Sequence, residues 1–283
     1  MQTVRRGEVD YPPEVEQVYR PPDILYFRGN LKACLARKRV AIVGSRRMSD
    51  YGKQITTAFG RELAEGSITI VSGLAIGVDA QAHRAALEAG GLCLAVLPSP
   101  LNNVVPATNR HLAEQIVQSG GALISQYPPG SEVHKGNFVA RNELVAALSN
   151  VLLIPEAAEK SGSLHTAKFA IHMQTEVRAV PGNITSPLSA GTNGLLRAGE
   201  AGVATSAQDV FQALGITTPT KQLPRGDTPA EQQLLDLLAS GVHDGEALLQ
   251  MSQQSVAVFN QTLTMLEITG KVMPLGANRW GLP

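Results

Sequence analysis

From residue 40 to residue 215 the chain repeats one pattern: a short apolar run, a turn of small residues, then a stretch with helical spacing. The apolar runs are VAIV (40–43), ITIVS (68–72), LCLAVL (92–97), ALISQ (122–126), VLLIP (151–155), EVRAV (176–180) and GVATS (202–206). Helical spacing fills the intervals at about 50–65, 78–89, 108–119, 138–149, 163–173, 191–199 and 207–214. A run that is apolar at nearly every position must be buried on both faces. A helix between successive runs carries the chain back so that they pair in parallel. The pattern predicts the α/β class: a doubly wound, mostly parallel sheet covered by helices on both sides.

The remaining segments set the expected domain limits. Residues 1–39 carry Pro12-Pro13 and Pro21-Pro22 and read as an extended arm with a short strand at Ile24–Phe27 and a short helix. The sheet domain is expected over 40–215, and ITTPTKQLPRGDT (216–228) reads as a linker. Over 229–283 the chain offers PAEQQLLDLLAS, DGEALLQMS and QSVAVFNQTLTMLEITG as helices. KVMPLGANRWGLP follows as a hairpin turning at Gly276-Ala277-Asn278. Three helices and a hairpin in so few residues predict a small winged-helix domain.

At 43% hydrophobic residues, the 283-residue chain has enough apolar material for a sizeable core. Lys+Arg and Asp+Glu both number 24. With no global field to attract it, an anionic partner must be met by a local cluster of cations. The two cysteines, Cys34 and Cys93, lack metal-ligand spacing and are expected to be buried thiols. The first residues, MQTVRRGEVDYPP, hold no apolar signal core, and no run approaches a membrane span. The expectation is a cytoplasmic protein without membrane attachment.

In an open parallel sheet, ligands bind at the carboxyl ends of the strands. Here those ends carry Gly44-Ser45-Arg46, Ser72-Gly73, and Lys160-Ser161-Gly162-Ser163. Glycine permits close backbone approach, serine donates from a short arm, and a helix N-terminus adds N–H groups and a positive dipole end. Together with Arg46 and Lys160 this edge suits phosphate, although small residues also make tight turns for purely local reasons. G-x-G-x-x-G, G-x-x-x-x-G-K-[ST] and G-x-S-x-G are all absent, which argues against dinucleotide binding, P-loop hydrolysis and a nucleophile elbow. Asp79 and His83, four apart on a helix, could hold a metal only with a further ligand; a helix-start hydrogen bond is the simpler role.

A second stretch, His134-Lys135-Gly136-Asn137-Phe138-Val139-Ala140-Arg141-Asn142, sets cations beside an aromatic ring. Backbone neutralisation plus base stacking is what single-stranded nucleic acid requires. The alternative places Phe138 in the core and Lys135 in solvent.

Taken together, VAIVGSR (40–46), IVSGLAIGVDAQAH (70–83), QYPPG (126–130), KGNFVARN (135–142), EAAEKSGSLHTA (156–167), AVPGN (179–183) and GTNGLLRAGE (191–200) resemble the DprA/Smf family of DNA-processing proteins, in order and spacing. The resemblance covers roughly residues 24–215, and the tail resembles the winged-helix domain that many members carry. It implies an extended Rossmann-type sheet and a protein that binds and protects single-stranded DNA. It further implies loading of the RecA recombinase during natural transformation, with homodimers formed through the Rossmann-type domain. Cofactors and catalysis are not implied. Carried over by motif, the DNA-binding residues are Gly44, Ser45 and Arg46, then Lys135, Phe138, Arg141 and Asn142, then Ser161, Gly162 and Ser163. Arg46 and Lys135 would meet phosphates, Phe138 a base, Arg141 a phosphate or a stack, and the serine–glycine segment would act through backbone N–H groups.

Some positions depart from the family pattern. Glu143 stands where a basic residue is usual, Gln126 where Glu is usual, Pro98-Ser99-Pro100 replaces G-T-G, and Val105-Pro106 replaces Y-P. Over 228–283 the cations are Lys271 and Arg279 against Glu231, Asp236, Asp244, Glu246 and Glu267, a net charge of −3. A duplex-reading surface is basic, so this module is expected to meet protein, or another copy of itself, more readily than DNA. The competing enzymatic reading is a nucleoside-monophosphate phosphoribohydrolase of the lysine-decarboxylase-like group. Its P-G-G-x-G-T-x-x-E hallmark is not met, since Leu195 occupies the place of the glutamate after Gly191-Thr192.

Overall fold

The computed structural model describes residues 1–217 and 224–282. The chain divides into two compact units, Met1–Thr217 and Thr218–Pro283.

The first unit is built on a nine-stranded sheet. Its strands are β1 (Gln2–Arg5), β2 (Ile24–Gly29), β3 (Arg39–Ile42), β4 (Thr69–Ser72), β5 (Cys93–Val96), β6 (Ala122–Ser125), β7 (Val151–Ile154), β8 (Glu176–Ala179) and β9 (Gly202–Val203). They lie in the order β1-β2-β6-β5-β4-β3-β7-β8-β9. From β6 to β9 every neighbouring pair is parallel; β2 runs antiparallel to β6, and β1 to β2. The short strand expected at Ile24–Phe27 is β2, and the arm before it adds a further strand, β1, to the sheet. They pair through four residue partners each, which a reading of residues 1–39 by local composition does not reveal.

The helices of this unit are α1 (Leu31–Leu35), α2 (Asp50–Glu65), α3 (Val78–Glu88), α4 (Arg110–Gln118), α5 (Lys135–Ala147), α6 (Ser163–His172), α7 (Ala190–Ala198) and α8 (Ala207–Ala213). All four residues of each of β3, β4, β5, β6 and β7 are buried. Their side chains alternate between two cores. Val40 and Ile42 pack with Phe59, Leu63, Ile116 and Phe211 on one face, while Ala41 and Val43 pack with Leu144, Leu148 and Ala167 on the other. This two-sided burial is the physical reason these strands read as unbroken apolar runs.

The strand order places the ligand-binding edge. From β3 the chain winds outward one way through β4, β5 and β6, then returns to β7 on the opposite side of β3. The β3 and β7 connections leave in opposite directions and open a crevice at their carboxyl ends. Pairing continues into the exits: the Val43 N–H donates to the Leu153 carbonyl at 3.1 Å and the Ser45 N–H to the Glu156 carbonyl at 2.8 Å.

The second unit contains α9 (Pro229–Ala239), α10 (Gly245–Ser252), α11 (Val256–Ile268) and the hairpin β10 (Met273–Gly276) and β11 (Arg279–Gly281). This is a winged-helix arrangement. Leu234, Leu235, Leu238, Leu248, Phe259, Leu263, Leu266 and Val272 form its core. Each helix starts on a side-chain cap: Thr228 for α9, Asp244 for α10 and Ser255 for α11. Of the linker expected over 216–228, residues 218–223 lie outside the described residues. The Gly226 and Asp227 N–H groups fold back onto the Gln232 and Glu231 side chains at the start of α9.

Cys34 and Cys93 are both buried free thiols. Burial pushes the Cys34 thiol up to about 12 and raises that of Cys93 as well, so neither is a nucleophile or ligand at neutral pH.

Candidate nucleic-acid interface

The crevice at the β3–β7 divide is a cavity of about 560 Å³. The β3 exit supplies Gly44, Ser45, Arg46 and Arg47 to its wall; the β7–α6 connection supplies Lys160, Ser161, Gly162 and Ser163. From α5 come Arg141 and Asn142, and Gly73 and Asp79 line it from the β4 side. Three motifs far apart in the chain therefore surround one space because their strands end at one edge.

Each wall has a local cause. Gly44 cannot carry a side chain: a Cβ there would lie 2.7 Å from both the Glu156 carbonyl and the Val78 side chain. Ser45 is buried, and its hydroxyl accepts from the Arg47 N–H at 3.1 Å, curling the loop so that Arg46 and Arg47 face solvent. On the opposite wall Ser161 and Ser163 share a hydroxyl–hydroxyl hydrogen bond at 2.8 Å. Gly162 stands at the start of α6 and brings no side-chain cap, and the Ser163 N–H is met by Ser161 Oγ at 3.4 Å. A Cβ on Gly162 would meet nothing within 4 Å, so the fold does not demand glycine there. A helix start whose glycine is not needed for packing suits an anion that approaches the backbone closely.

Asn142 ties the walls together. Its amide donates to the Gly162 carbonyl at 3.4 Å, and its Oδ1 accepts from Arg141 Nε at 3.1 Å. On the rim the Arg46 guanidinium lies 5.7 Å from the centroid of the Phe138 ring, a cation–π contact. Phe138 is half-buried and Lys135 is exposed at the first turn of α5, which also starts without a side-chain cap. Arg46 and Phe138 thus make a composite platform of one planar cation and one ring.

Arg141 lines the same cavity, at its floor. It is 3% exposed, and Nη1 donates to the Gly73 carbonyl and to the Val96 carbonyl, the latter at 3.0 Å. With Nη1 committed to backbone carbonyls and Nε to Asn142, it forms the floor of the pocket. Burial lowers its pKa to about 10, against the pull of Asp79, so it remains cationic at neutral pH. Asp79 is also buried; burial raises its pKa, opposed first by the Arg141 charge. Its Oδ2 accepts from the Gly73 N–H at 3.1 Å and the Ala75 N–H at 3.4 Å, which is the helix-start role. Among the described residues no group of three or more His, Cys, Asp or Glu could hold a metal. His83, one turn along α3, is fully buried, and burial lowers its pKa to about 3.

The departures from the family pattern fall outside this cavity. Glu143 accepts from the Tyr19 N–H at 2.8 Å, and the Gln126 amide donates to the Tyr127 hydroxyl at 2.9 Å. Ser99 is buried, with its carbonyl taken by the Ser125 hydroxyl at 2.8 Å. The Glu156 carboxylate accepts from the Ser49 N–H at 2.8 Å and supports the start of α2, so it too is committed inside the fold. Sequence reasoning placed Gly73 at this edge but missed Arg47 and Asp79 as wall and floor residues. The available signal was the S-G-L-A-x-G-x-D run, whose glycines and carboxylate follow a strand directly.

Residues 2–215 match the family described as DNA recombination-mediator protein A. The chain belongs to this family. Protein Smf of Synechocystis is 37% identical over 229 residues, covering 80% of this chain and 56% of that protein. The chain thus spans about half the length of this relative. The crystal structure of DNA processing protein A (DprA) from Streptococcus pneumoniae is similar with a TM-score of 0.70 and 36% identity, covering 75% of this chain and 73% of the other. DNA processing protein A from Helicobacter pylori, described for its single-stranded DNA binding mode, matches with a TM-score of 0.67 and 36% identity over 75% of this chain and 95% of that one. The matched family region ends at residue 215 and so lies within the first unit.

Proposed function

We propose that this chain binds single-stranded DNA at the β3–β7 crevice and takes part in DNA processing by binding, not by catalysis. One observation carries the reading: Arg46, Phe138, Asn142 and the Ser161–Ser163 segment at the start of α6 converge on a single edge of the sheet. Arg46, Lys135 and Lys160 would neutralise phosphates. The α6 N-terminus would receive one phosphate on its N–H groups. A base would stack against the Arg46–Phe138 platform, a contact worth about 1–3 kcal/mol. The single-stranded DNA binding attributed to the Helicobacter pylori relative supports the same reading.

The finer family roles extend this proposal. Protection of incoming strands, hand-over to the RecA recombinase during transformation, and a homodimer through the first unit are the expected setting. The phosphoribohydrolase alternative needs a carboxylate free to act on a sugar. The carboxylate on the cavity wall among the described residues is Asp79, and its Oδ2 is bound to two backbone N–H groups.

The test is a titration of labelled single- and double-stranded oligonucleotides across salt. If about three phosphates are neutralised, log K falls against log salt with a slope near −2, about −0.7 per phosphate. Arg46→Ala and Lys135→Ala should each shallow the slope by somewhat under one unit. Unchanged affinity and slope in both would overturn the reading.

A further inference from the structure

The floor of the crevice contains a feature that anion binding alone does not require. The exit of β4 turns through Ser72-Gly73-Leu74-Ala75-Ile76-Gly77 before α3 begins. Leu74 in this turn is fully buried with φ +54, a backbone region that bulky side chains rarely enter. Such a conformation persists only where its surroundings fix it. Here they do so from three helices. Arg141 of α5 donates to the Gly73 carbonyl, Asp79 of α3 accepts from the Gly73 and Ala75 N–H groups, and Asn109, just before α4, donates to the Leu74 carbonyl at 2.9 Å. Gly73 is thus gripped on its N–H by a carboxylate and on its carbonyl by a guanidinium. A Cβ on Gly73 would fall 2.4 Å from Arg141 Cζ, so any larger residue there would displace the guanidinium.

The turn transmits this grip to the β3 loop. Gly77 has φ +83, and a Cβ there would lie 2.2 Å from the Ser45 carbonyl and 2.8 Å from Arg46 Cα. The next N–H, that of Val78, donates to the Ser45 carbonyl at 3.1 Å. A continuous path therefore runs from Arg141 and Asp79, through Gly73, to the backbone that aims Arg46.

We infer that Arg141 and Asp79 are positioning residues: together they clamp the strained β4–α3 turn so that it holds the Gly44–Arg46 loop in its ligand-binding shape. The inference rests on the reading of this crevice as the single-stranded DNA site. It separates two arginines that look alike in sequence: Arg46 meets the ligand, and Arg141 aims Arg46. It also assigns Asp79 a sign that direct electrostatics reverses. A carboxylate beside a phosphate site should weaken binding, so its removal should strengthen binding; a clamp residue behaves the other way.

The decisive variant is Asp79→Ala/Arg141→Met in the full chain, measured with labelled single-stranded oligonucleotide beside wild type, Arg46→Ala and the triple combination. The double variant removes one charge of each sign, so the net field at the pocket is preserved and an affinity change reports geometry. We expect a folded protein by thermal melting, affinity lowered tenfold or more, and less than a twofold further loss when Arg46→Ala is added. Wild-type affinity in the folded double variant, or a full additive loss from Arg46→Ala, overturns the clamp. If the double variant does not melt cooperatively, Arg141→Lys decides. It keeps the charge and loses the fork, and should bind several-fold more weakly; unchanged affinity overturns the clamp. Should Arg46→Ala itself bind as wild type does, the pocket reading fails, and the clamp fails with it.

Discussion

The crevice at the β3–β7 divide and the third helix of the second unit are the two places where a chain of this architecture could hold DNA, and they are built in opposite ways. The crevice presents Arg46, Arg47 and Lys160 around small residues, and Lys135 is exposed in the first turn of α5. Helix α11 has no lysine or arginine, and exposes Val256, Met265 and Ile268 at 61%, 45% and 73%. The nearest cation in sequence, Lys271, is engaged by Asp227 at 2.6 Å. All three helices of the second unit are capped by their N-cap side chains, whereas the residues at the N-caps of α5 and α6, His134 and Gly162, make no side-chain cap. A winged-helix arrangement therefore does not by itself make a DNA-binding surface; the placement of charge decides.

Four measurements would break or sharpen that contrast, the largest effect first. Leu248 is completely buried in the second unit, and Leu248→Ala should destabilise that unit by about 2–5 kcal/mol. Calorimetry should show the loss, and single-stranded DNA affinity should remain that of wild type; a parallel loss of binding would show that the units do not act separately. Next, a chain ending after Thr217 should bind single-stranded DNA within a few-fold of the full chain. The second unit alone should bind either form of DNA at least ~100-fold more weakly at moderate salt, since over 228–283 its two cations, Lys271 and Arg279, face five carboxylates. Tight binding by the second unit would invert the comparison.

Acid should distinguish the two units. His83 is held neutral in the first unit with its pKa lowered by burial to about 3, while an unfolded histidine titrates near 6.5. The unfolded state then takes up a proton below pH 6.5 that the folded state refuses, so stability is present above that pH and is lost as pH falls towards 3. Between pH 7 and pH 5 the loss is about 2 kcal/mol, at about 1.4 kcal/mol per pH unit. Denaturant melts of the chain ending after Thr217 should show it, and His83→Gln should flatten the dependence. Last, Phe138→Ala should weaken single-stranded DNA binding by about 1–3 kcal/mol while leaving the salt slope nearly unchanged, because a ring releases no counterions. A changed slope would mean that the Arg46 guanidinium had lost its seat as well.

Much of the fold was legible because its signals are local. The helix expected at about 50–65 is Asp50–Glu65, capped by Ser49, and the run VLLIP gives β7 at Val151–Ile154. The hairpin expected around Gly276-Ala277-Asn278 turns there, with positive φ at all three residues. What escaped depends on distant pairing. β1 at Gln2–Arg5 has one buried residue in four and acquires its place only by hydrogen-bonding to β2. In the candidate site, glycines and cations at strand exits could be read, because one edge of a parallel sheet collects all of them. Their depth could not. Arg46 and Arg141 are the same residue type in similarly basic stretches, and only the packing of α5 against the β4 turn sends one to the rim and the other to the floor.

The sheet ends at β9 with two residues, Gly202 and Val203. So short a border presents few unpaired backbone groups, too few to template an added strand, and this is a common defence against edge-to-edge aggregation. On that side of the molecule another polypeptide cannot be recruited by lengthening the sheet, and lateral association there must be made by helix and loop side chains.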